Sequence, residues 1–188
     1  MRSIPRIPPL EPPYEPELAE TLAKWMPPGA EVEPLKLFRT LAVHPGLFSR
    51  MRPLGSAILS KGILPARERE IVLHRTCARA GAAYEWGVHA VAFAPAVGLT
   101  DEQIVATANG DADDPAWTGE RDRLLIALAD ELYDTATLSG ELYARVEAEW
   151  TPAELLELIA ITGFYRLLSS VINVAGVEPE TWARPWPS

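Results

Sequence analysis

The sequence has few of the residues that several classes of protein depend on. Its single cysteine, Cys77, cannot form an internal disulfide, a two-thiol redox centre or a cysteine-rich zinc site within one chain. No segment reaches about 18 uninterrupted apolar residues, and the N-terminus lacks the apolar run of a signal peptide. These absences predict a cytoplasmic protein without a membrane partner.

Basic residues are also scarce. The chain has 17 Lys and Arg against 26 Asp and Glu, which gives a formal net charge of -9 at pH 7. Such a charge repels nucleic-acid phosphates and anionic lipid surfaces, so we predict no nucleic-acid partner. The 48% hydrophobic and 23% charged residues are typical of a soluble globular domain.

The distribution of proline divides the chain into three parts. Half of the 18 prolines lie in the first 34 residues, which predicts a Pro-rich arm over 1–34 with a short helix from Glu15 to Trp25. The arm is either loose or packed through its apolar side chains on the body or on a neighbouring subunit. A single domain is predicted over 35–178, followed by a Pro/Trp tail over 179–188 that docks on the body or on a partner subunit.

The remainder of the sequence has helical periodicity. No segment sustains the alternation of period two that marks a strand, whereas apolar residues recur at helical spacing, so the predicted fold class is all-α. Two helix starts carry capping-box patterns, at Thr100 and at Thr151. Helices are predicted over Leu35–Ala42, Leu47–Leu59, Ala66–Ala80, Ala83–Val97, Thr100–Ala108, Thr118–Thr135, Ser139–Glu149 and from Pro152 to about Gly176.

A candidate acid/base cluster comes from two of these helices. His89 is the only ionisable residue in a fourteen-residue apolar stretch, and Glu85 lies four residues before it. Glu70 and His74 repeat this spacing on the preceding helix. Because the connection at Gly81 is short, the two helices are expected to be antiparallel neighbours, with Glu70 beside Glu85 and His89.

This combination of groups suits proton transfer. A carboxylate beside an imidazole raises its basicity and fixes its tautomer, while burial raises the pKa of a second carboxyl group. The alternative is a buried salt bridge that only supports packing. A metal site is not predicted, because metal-binding carboxylate bundles use a Glu-x-x-His spacing.

Arginine and aromatic residues offer candidate contacts for a substrate. Arg166 or, less directly, Arg75 would bind a substrate carboxylate, or each would form a structural pair. Tyr84 and Trp86 flank Glu85, where they either wall an apolar pocket or fill the core.

Four segments of the chain together have a recognisable pattern: Leu37–Ala42 with His44-Pro45, Leu64–Val72, Gly81–His89 and Gly98–Glu102. They resemble the carboxymuconolactone decarboxylase family, which also contains the alkylhydroperoxidase D proteins. The resemblance extends from about Leu35 to Asn109 and loosely over the C-terminal helices. It implies an alkylhydroperoxidase D-like helical bundle and a homo-oligomer, either a trimer or a hexamer.

The redox branch of that family carries the motif Glu-x11-Cys-x2-Cys-x3-His. In this sequence Glu70 and His89 take the outer positions of the motif, whereas Ala82 and Glu85 take the places of the two cysteines. Thiol peroxidase activity of the usual kind is therefore excluded, because it needs a thiolate and a second thiol to resolve it.

The resemblance then implies a decarboxylase-like lyase that uses neither a metal nor an organic cofactor. We expect His89 to act as the general acid/base, with Glu85 and Glu70 orienting it and tuning its pKa, on a small carboxylated or lactone-type organic acid. The side chains expected to bind this substrate are Tyr84, Arg166, Trp86 and His74.

Two other functions remain open from the sequence. A peroxiredoxin-like antioxidant role by family would need Cys77 to be exposed and acidic. A non-catalytic oligomer that binds small molecules would use the Glu/His cluster only as a structural element.

Overall fold

Nine α-helices and no β-strand form the described part of the chain, residues 5–26 and 33–187 of a computed structural model. The predicted all-α class is therefore confirmed. The helices are α1 (Pro16–Ala23), α2 (Lys36–Leu41), α3 (Pro45–Ser60), α4 (Ala66–Arg79), α5 (Ala83–Ala92), α6 (Asp101–Asn109), α7 (Glu120–Thr135), α8 (Gly140–Glu147) and α9 (Pro152–Ala175).

Side-chain caps fix the starts of α6 and α9. Thr100 accepts a hydrogen bond from the backbone N–H of Gln103, whose side chain bonds back to the N–H of Thr100. Thr151 and Glu154 form the same reciprocal arrangement at the start of α9. Both capping boxes agree with the sequence pattern, since each satisfies backbone donors that the first helical turn leaves unpaired.

Proline explains two of the places where a helix boundary differs from the predicted one. Helix α3 begins at Pro45 rather than Leu47, because proline is tolerated in the first turn and His44 caps the helix by accepting from the N–H of Leu47. Helix α5 ends at Ala92 rather than Val97. Pro95 has no N–H to extend the helix, and it opens a separate 3₁₀ turn.

Helix α4 is the centre of the bundle. It packs against α5, α6, α7 and α9, so every residue from Ile71 to Cys77 is buried. A helix surrounded on all sides buries its polar residues together with its apolar ones. This position explains how Glu70 and the residues that follow it reach the interior.

The N-terminal arm and the tail both pack on the bundle. The N–H groups of Arg6 and Ile7 donate to the carbonyl of Ala175 at the end of α9, at 2.7 and 3.1 Å. In the tail, the N–H of Arg184 donates to the carbonyl of Gly87 on α5 at 3.1 Å. Of the two arrangements that the sequence allowed for the arm, loose or packed, its described residues therefore have the packed one.

Helix α9 is long and apolar enough to cross a membrane, judged by length and composition alone. Its most apolar window has a mean hydropathy of 1.6, and 50% of that window is buried inside the fold. The buried residues include Leu158, Ile161 and Tyr165, which face the core.

Candidate active site

Helices α4 and α5 bring Glu70, His89 and Glu85 together. The connection turns at Gly81, whose φ of +63° is a left-handed conformation that glycine adopts without strain. His89 donates from Nδ1 to Oε2 of Glu70 at 2.8 Å. Its Nε2 lies 3.7 Å from Oε1 of Glu85, which is beyond a direct hydrogen bond.

The exposure of the three side chains differs in a way that matters for access. Glu70 is 0% exposed, His89 3% and Glu85 6%. Glu70 is thus enclosed, and it accepts a hydrogen bond from the imidazole. The edge between Nε2 of His89 and the carboxyl group of Glu85 is the part of the cluster closest to solvent. Because those two groups do not bond directly, each keeps a hydrogen-bonding position for a third molecule.

Glu70 and His89 favour the ion pair. Burial alone would raise the pKa of Glu70, but the charge and hydrogen bond of His89 outweigh it and lower that pKa. Burial, together with the nearby Arg69, opposes protonation of His89, yet Glu70 and Glu85 leave its pKa above the ordinary value. Both shifts favour the pair of a carboxylate on Glu70 and an imidazolium on His89.

Glu85 has the opposite tendency. Burial raises its pKa, and repulsion from Glu70 adds to this effect, while His89 only partly offsets it. Two carboxyl groups around one imidazole thus have pKa values shifted in opposite directions. This is the pattern by which an enzyme keeps one acid ionised and holds a proton on another near neutral pH.

Aromatic rings enclose His89. Phe93 stacks on the imidazole with ring centroids 4.5 Å apart, and Tyr165 of α9 meets it edge-on at 5.5 Å. The pKa of Tyr165 is raised by burial and by the charges of Glu85 and Glu70, so its phenol stays protonated. Our sequence reasoning missed both residues. Phe93 lies four positions after His89 and was detectable by that spacing, whereas Tyr165 comes from a distant helix.

His74 lies behind the site, with its imidazole centroid 6.1 Å from that of His89. Its Nδ1 donates to the backbone carbonyl of Glu70 at 2.7 Å, and its Nε2 has no partner among the described residues. Burial lowers its pKa to about 4. His74 is therefore a neutral core residue, and the structure gives it no route to solvent.

Tyr84 and Trp86 face the C-terminal tail rather than His89. The Tyr84 hydroxyl donates to Glu180 at 2.7 Å, and Trp86 donates from Nε1 to Thr107 at 2.9 Å. A surface cavity of about 570 Å³ adjoins Tyr84, between Lys36 and the tail, and its lining does not include the three residues of the cluster.

The two arginines considered from sequence are occupied elsewhere. Arg75 bonds Asp130 through two nitrogens, at 2.6 and 2.9 Å, and also donates to two backbone carbonyls. Arg166 is exposed, donates to the carbonyl of Tyr133 at 2.7 Å and lies over that ring. Neither guanidinium is placed beside His89.

Cys77 is buried in the core, and burial raises its pKa well above the ordinary value. A protonated, enclosed thiol is a poor nucleophile, which counts against the antioxidant alternative. Within residues 5–26 and 33–187, no group of three or more His, Cys, Asp or Glu side chains is arranged to hold a metal ion.

The model of the carboxymuconolactone decarboxylase family matches residues 45–130 of the chain, a segment that contains Glu70, Glu85 and His89. No curated protein matches significantly. Among solved structures, a cysteine-to-alanine variant of the debrominase Bmp8, in complex with 2,3,4-tribromopyrrole, aligns with a TM-score of 0.76 and 16% identity. The alignment covers 94% of this chain and 92% of that one, and at this identity it establishes the fold alone.

Proposed function

We propose that the chain is a member of the carboxymuconolactone decarboxylase family, whose model matches residues 45–130, and that it is an acid/base enzyme acting on a small organic acid or lactone. The reaction is a decarboxylation or an isomerisation, in which a carbanion or enolate forms beside the substrate carbonyl. The protein supplies the proton that this reaction consumes or moves.

One observation carries the proposal: a buried imidazole lies between two carboxyl groups whose pKa values are shifted in opposite directions. A purely structural bridge needs one carboxylate, and a second buried acid beside it costs stability. The directions of these shifts favour a proton on Glu85 and another on His89, at the edge closest to solvent.

The roles follow from the contacts. Glu70 accepts from Nδ1 of His89 and thereby fixes the orientation of the ring. In a decarboxylation, the bond between the substrate carbon and its carboxylate breaks, carbon dioxide leaves, and the electron pair stays as an enolate. A proton from the Glu85–His89 edge then goes to that carbon, and solvent restores it. Phe93 and Tyr165 limit the access of water.

Thiol chemistry is a weaker proposal for this chain. Cys77 is enclosed in the core, and the position of the second family cysteine is occupied by Glu85. A carboxyl group at that position transfers protons but does not form the sulfur intermediates of peroxide or disulfide reduction. The tribromopyrrole is a ligand of the structural neighbour, and we do not infer from it a ligand for this chain.

The test uses a panel of small lactones and 2-oxo or unsaturated carboxylic acids. Carbon dioxide release measures decarboxylation, and deuterium incorporation beside the carbonyl, followed by NMR, measures proton transfer without net reaction. We expect turnover with a bell-shaped pH profile, falling at low pH as Glu70 is protonated and at high pH as the acid is lost.

His89→Gln keeps a side chain of similar shape but cannot carry the proton. We expect it to lose at least about a hundredfold in kcat while remaining folded. Unchanged turnover in His89→Gln would remove the assignment. Absence of turnover and of exchange across the panel, together with a loss of stability in the variant, would instead favour a structural cluster in a binding protein.

A further inference from the structure

Arg69 is an arginine beside the site with few partners. Its side chain is 12% exposed, and its Nε donates to Oε1 of Glu70 at 3.3 Å. Its two terminal amino groups have no acceptor among the residues that the structure describes. A guanidinium has five N–H donors, so most of its hydrogen-bonding capacity is unused.

The other two enclosed, ion-paired arginines differ from Arg69 in this respect. Arg39, with a side chain 8% exposed, bonds a carboxylate and two carbonyls. Arg75, at 7%, uses all three nitrogens on Asp130 and two carbonyls. The unpaired donors of Arg69 are not among the fully buried polar atoms that lack a partner, so a ligand from solvent can reach them, and this difference from Arg39 and Arg75 needs a reason.

The charge of the site supplies that reason. Glu70 is shared between His89 and Arg69, while Glu85 tends toward its neutral form. Two cations therefore face one carboxylate. An added anion would balance the second cation and occupy the unpaired donors.

We propose that Arg69 is the anion-binding residue of this site and that its ligand is a planar carboxylate. The chemistry of the proposed reaction also indicates which carboxylate of the substrate Arg69 binds. A strong contact to the carboxylate that leaves would stabilise the ground state and slow the reaction. Arg69 therefore holds a carboxylate that the substrate retains, and it orients the reacting carbon toward the Glu85–His89 edge.

The role of Arg69 in the reaction rests on the proposed function, but a binding measurement tests the anion site independently of turnover. The probe is benzoate, a planar carboxylate, with benzamide as its uncharged counterpart. Arg69→Met retains the aliphatic part of the side chain and removes the charge, while Arg69→Lys retains the charge and removes the fork. Arg79→Met, on the same helix and paired with Asp134, is the matched control.

We expect calorimetry to show benzoate binding to the parent chain, a Kd at least about tenfold weaker in Arg69→Met, and a smaller loss in Arg69→Lys. Benzamide should bind more weakly to the parent and should not distinguish the variants. Arg79→Met should bind benzoate like the parent. Circular dichroism and thermal unfolding check that each variant is folded, and Arg69→Lys provides the comparison if Arg69→Met is not.

Two results would overturn the inference: no benzoate binding by the parent, or equal binding by parent, Arg69→Met and Arg69→Lys. A different pair of results would count against the proposed function alone. If benzoate binding depends on Arg69 while the parent turns over no member of the substrate panel, the anion site stands and the enzymatic assignment does not.

Discussion

Two buried ionic clusters on α4 lie less than two helical turns apart, and they differ in how completely they are paired. Around Arg75, every nitrogen of the guanidinium has an oxygen partner, and the contacts join α4 to α7 and to the end of α6. Around Glu70, one imidazole and one guanidinium share a carboxylate. Within residues 5–26 and 33–187, Glu85 has no hydrogen-bond partner, and the terminal amino groups of Arg69 have no acceptor.

The difference separates a structural cluster from a reactive one. Complete pairing repays the cost of burying a charge and resists change. Incomplete pairing leaves a buried polar group at a cost to stability, and it persists where another molecule completes it. Glu85→Gln and Arg75→Met test this difference directly, because stability should depend on the Arg75 cluster and activity on the Glu70 cluster.

Glu85→Gln should have the largest effect, and the effect should be on activity. The substitution keeps the shape of the side chain and removes its proton, so kcat should fall by about 10²- to 10⁴-fold. Stability at neutral pH should be retained or slightly increased, because the amide is neutral in both states, whereas the buried carboxyl group has to take up a proton on folding. Steady-state kinetics and urea unfolding measure the two effects, and Glu147→Gln, an exposed acid on α8, is the control. Equal losses of activity in both variants would contradict the assignment.

Arg75→Met should give the largest loss of stability, about 3–5 kcal/mol in the free energy of unfolding. The change removes the donor of two carbonyls and both hydrogen bonds to Asp130, which then has only the ion pair with Arg79 at 3.6 Å. Breaking a buried pair by removing one partner has this magnitude. Urea unfolding followed by circular dichroism measures it. Arg145→Met, which removes an exposed arginine of α8 that pairs with Glu120, should cost no more than about 1 kcal/mol. Similar costs in the two variants would show that burial and pairing do not set the stability here.

His74 should make stability depend on pH. Its pKa is lowered from 6.5 to about 4 in the folded protein, so the unfolded chain takes up a proton that the folded one rejects. The contribution of His74 is therefore complete above pH 6.5 and is lost as the pH falls toward 4, by about 3 kcal/mol. Glu70, whose pKa is lowered, adds to this loss at the acid end, whereas His89, whose pKa is raised, acts in the opposite direction above pH 6.5.

Urea unfolding between pH 4 and pH 8 measures this dependence. His74→Leu should flatten the decline between pH 6.5 and 4. Leu156→Ala, which changes an exposed, non-ionisable residue of α9, should leave the decline unchanged. An identical slope in the parent and His74→Leu would place the acid sensitivity on other groups.

Gly87→Ala should have the smallest effect, on the tail that covers α5. A Cβ at this position would collide with the carbonyl oxygen of Arg184, so the tail has to shift, at a cost of about 1–2 kcal/mol. Protease cleavage in the tail and tryptophan fluorescence report its release. In Gly163→Ala the new methyl meets nothing within 4 Å, and that variant should be slightly stabilised, by up to about 1 kcal/mol. Cleavage rates that do not differ between the two variants would contradict the docked tail.

Local signals made the helices predictable from sequence. The caps at Thr100 and Thr151, the turn at Gly81 and the apolar periodicity act within a few residues, so the sequence shows them directly. The proximity of Glu70 to His89 also followed, because a short connection between two helices leaves one arrangement.

Partners from distant helices were not predictable in this way. Arg75 and Arg166 are occupied by Asp130 and Tyr133 of α7, which lie 33 to 55 positions away in the chain. Arg69 showed no pattern that distinguished it from its neighbours, because its feature is a shortage of partners in the folded protein. Tyr165 reaches the site only because α9 packs across α4.

The protonation state of the cluster tests the central claim most directly. Infrared difference spectra can detect a protonated carboxyl group, and the nitrogen resonances of His89 report its charge. At pH 7 and without a substrate, we predict a protonated carboxyl band that disappears in Glu85→Gln, together with an imidazolium at His89 that is lost in Glu70→Gln. A neutral imidazole at His89 with both carboxyl groups ionised would contradict the account.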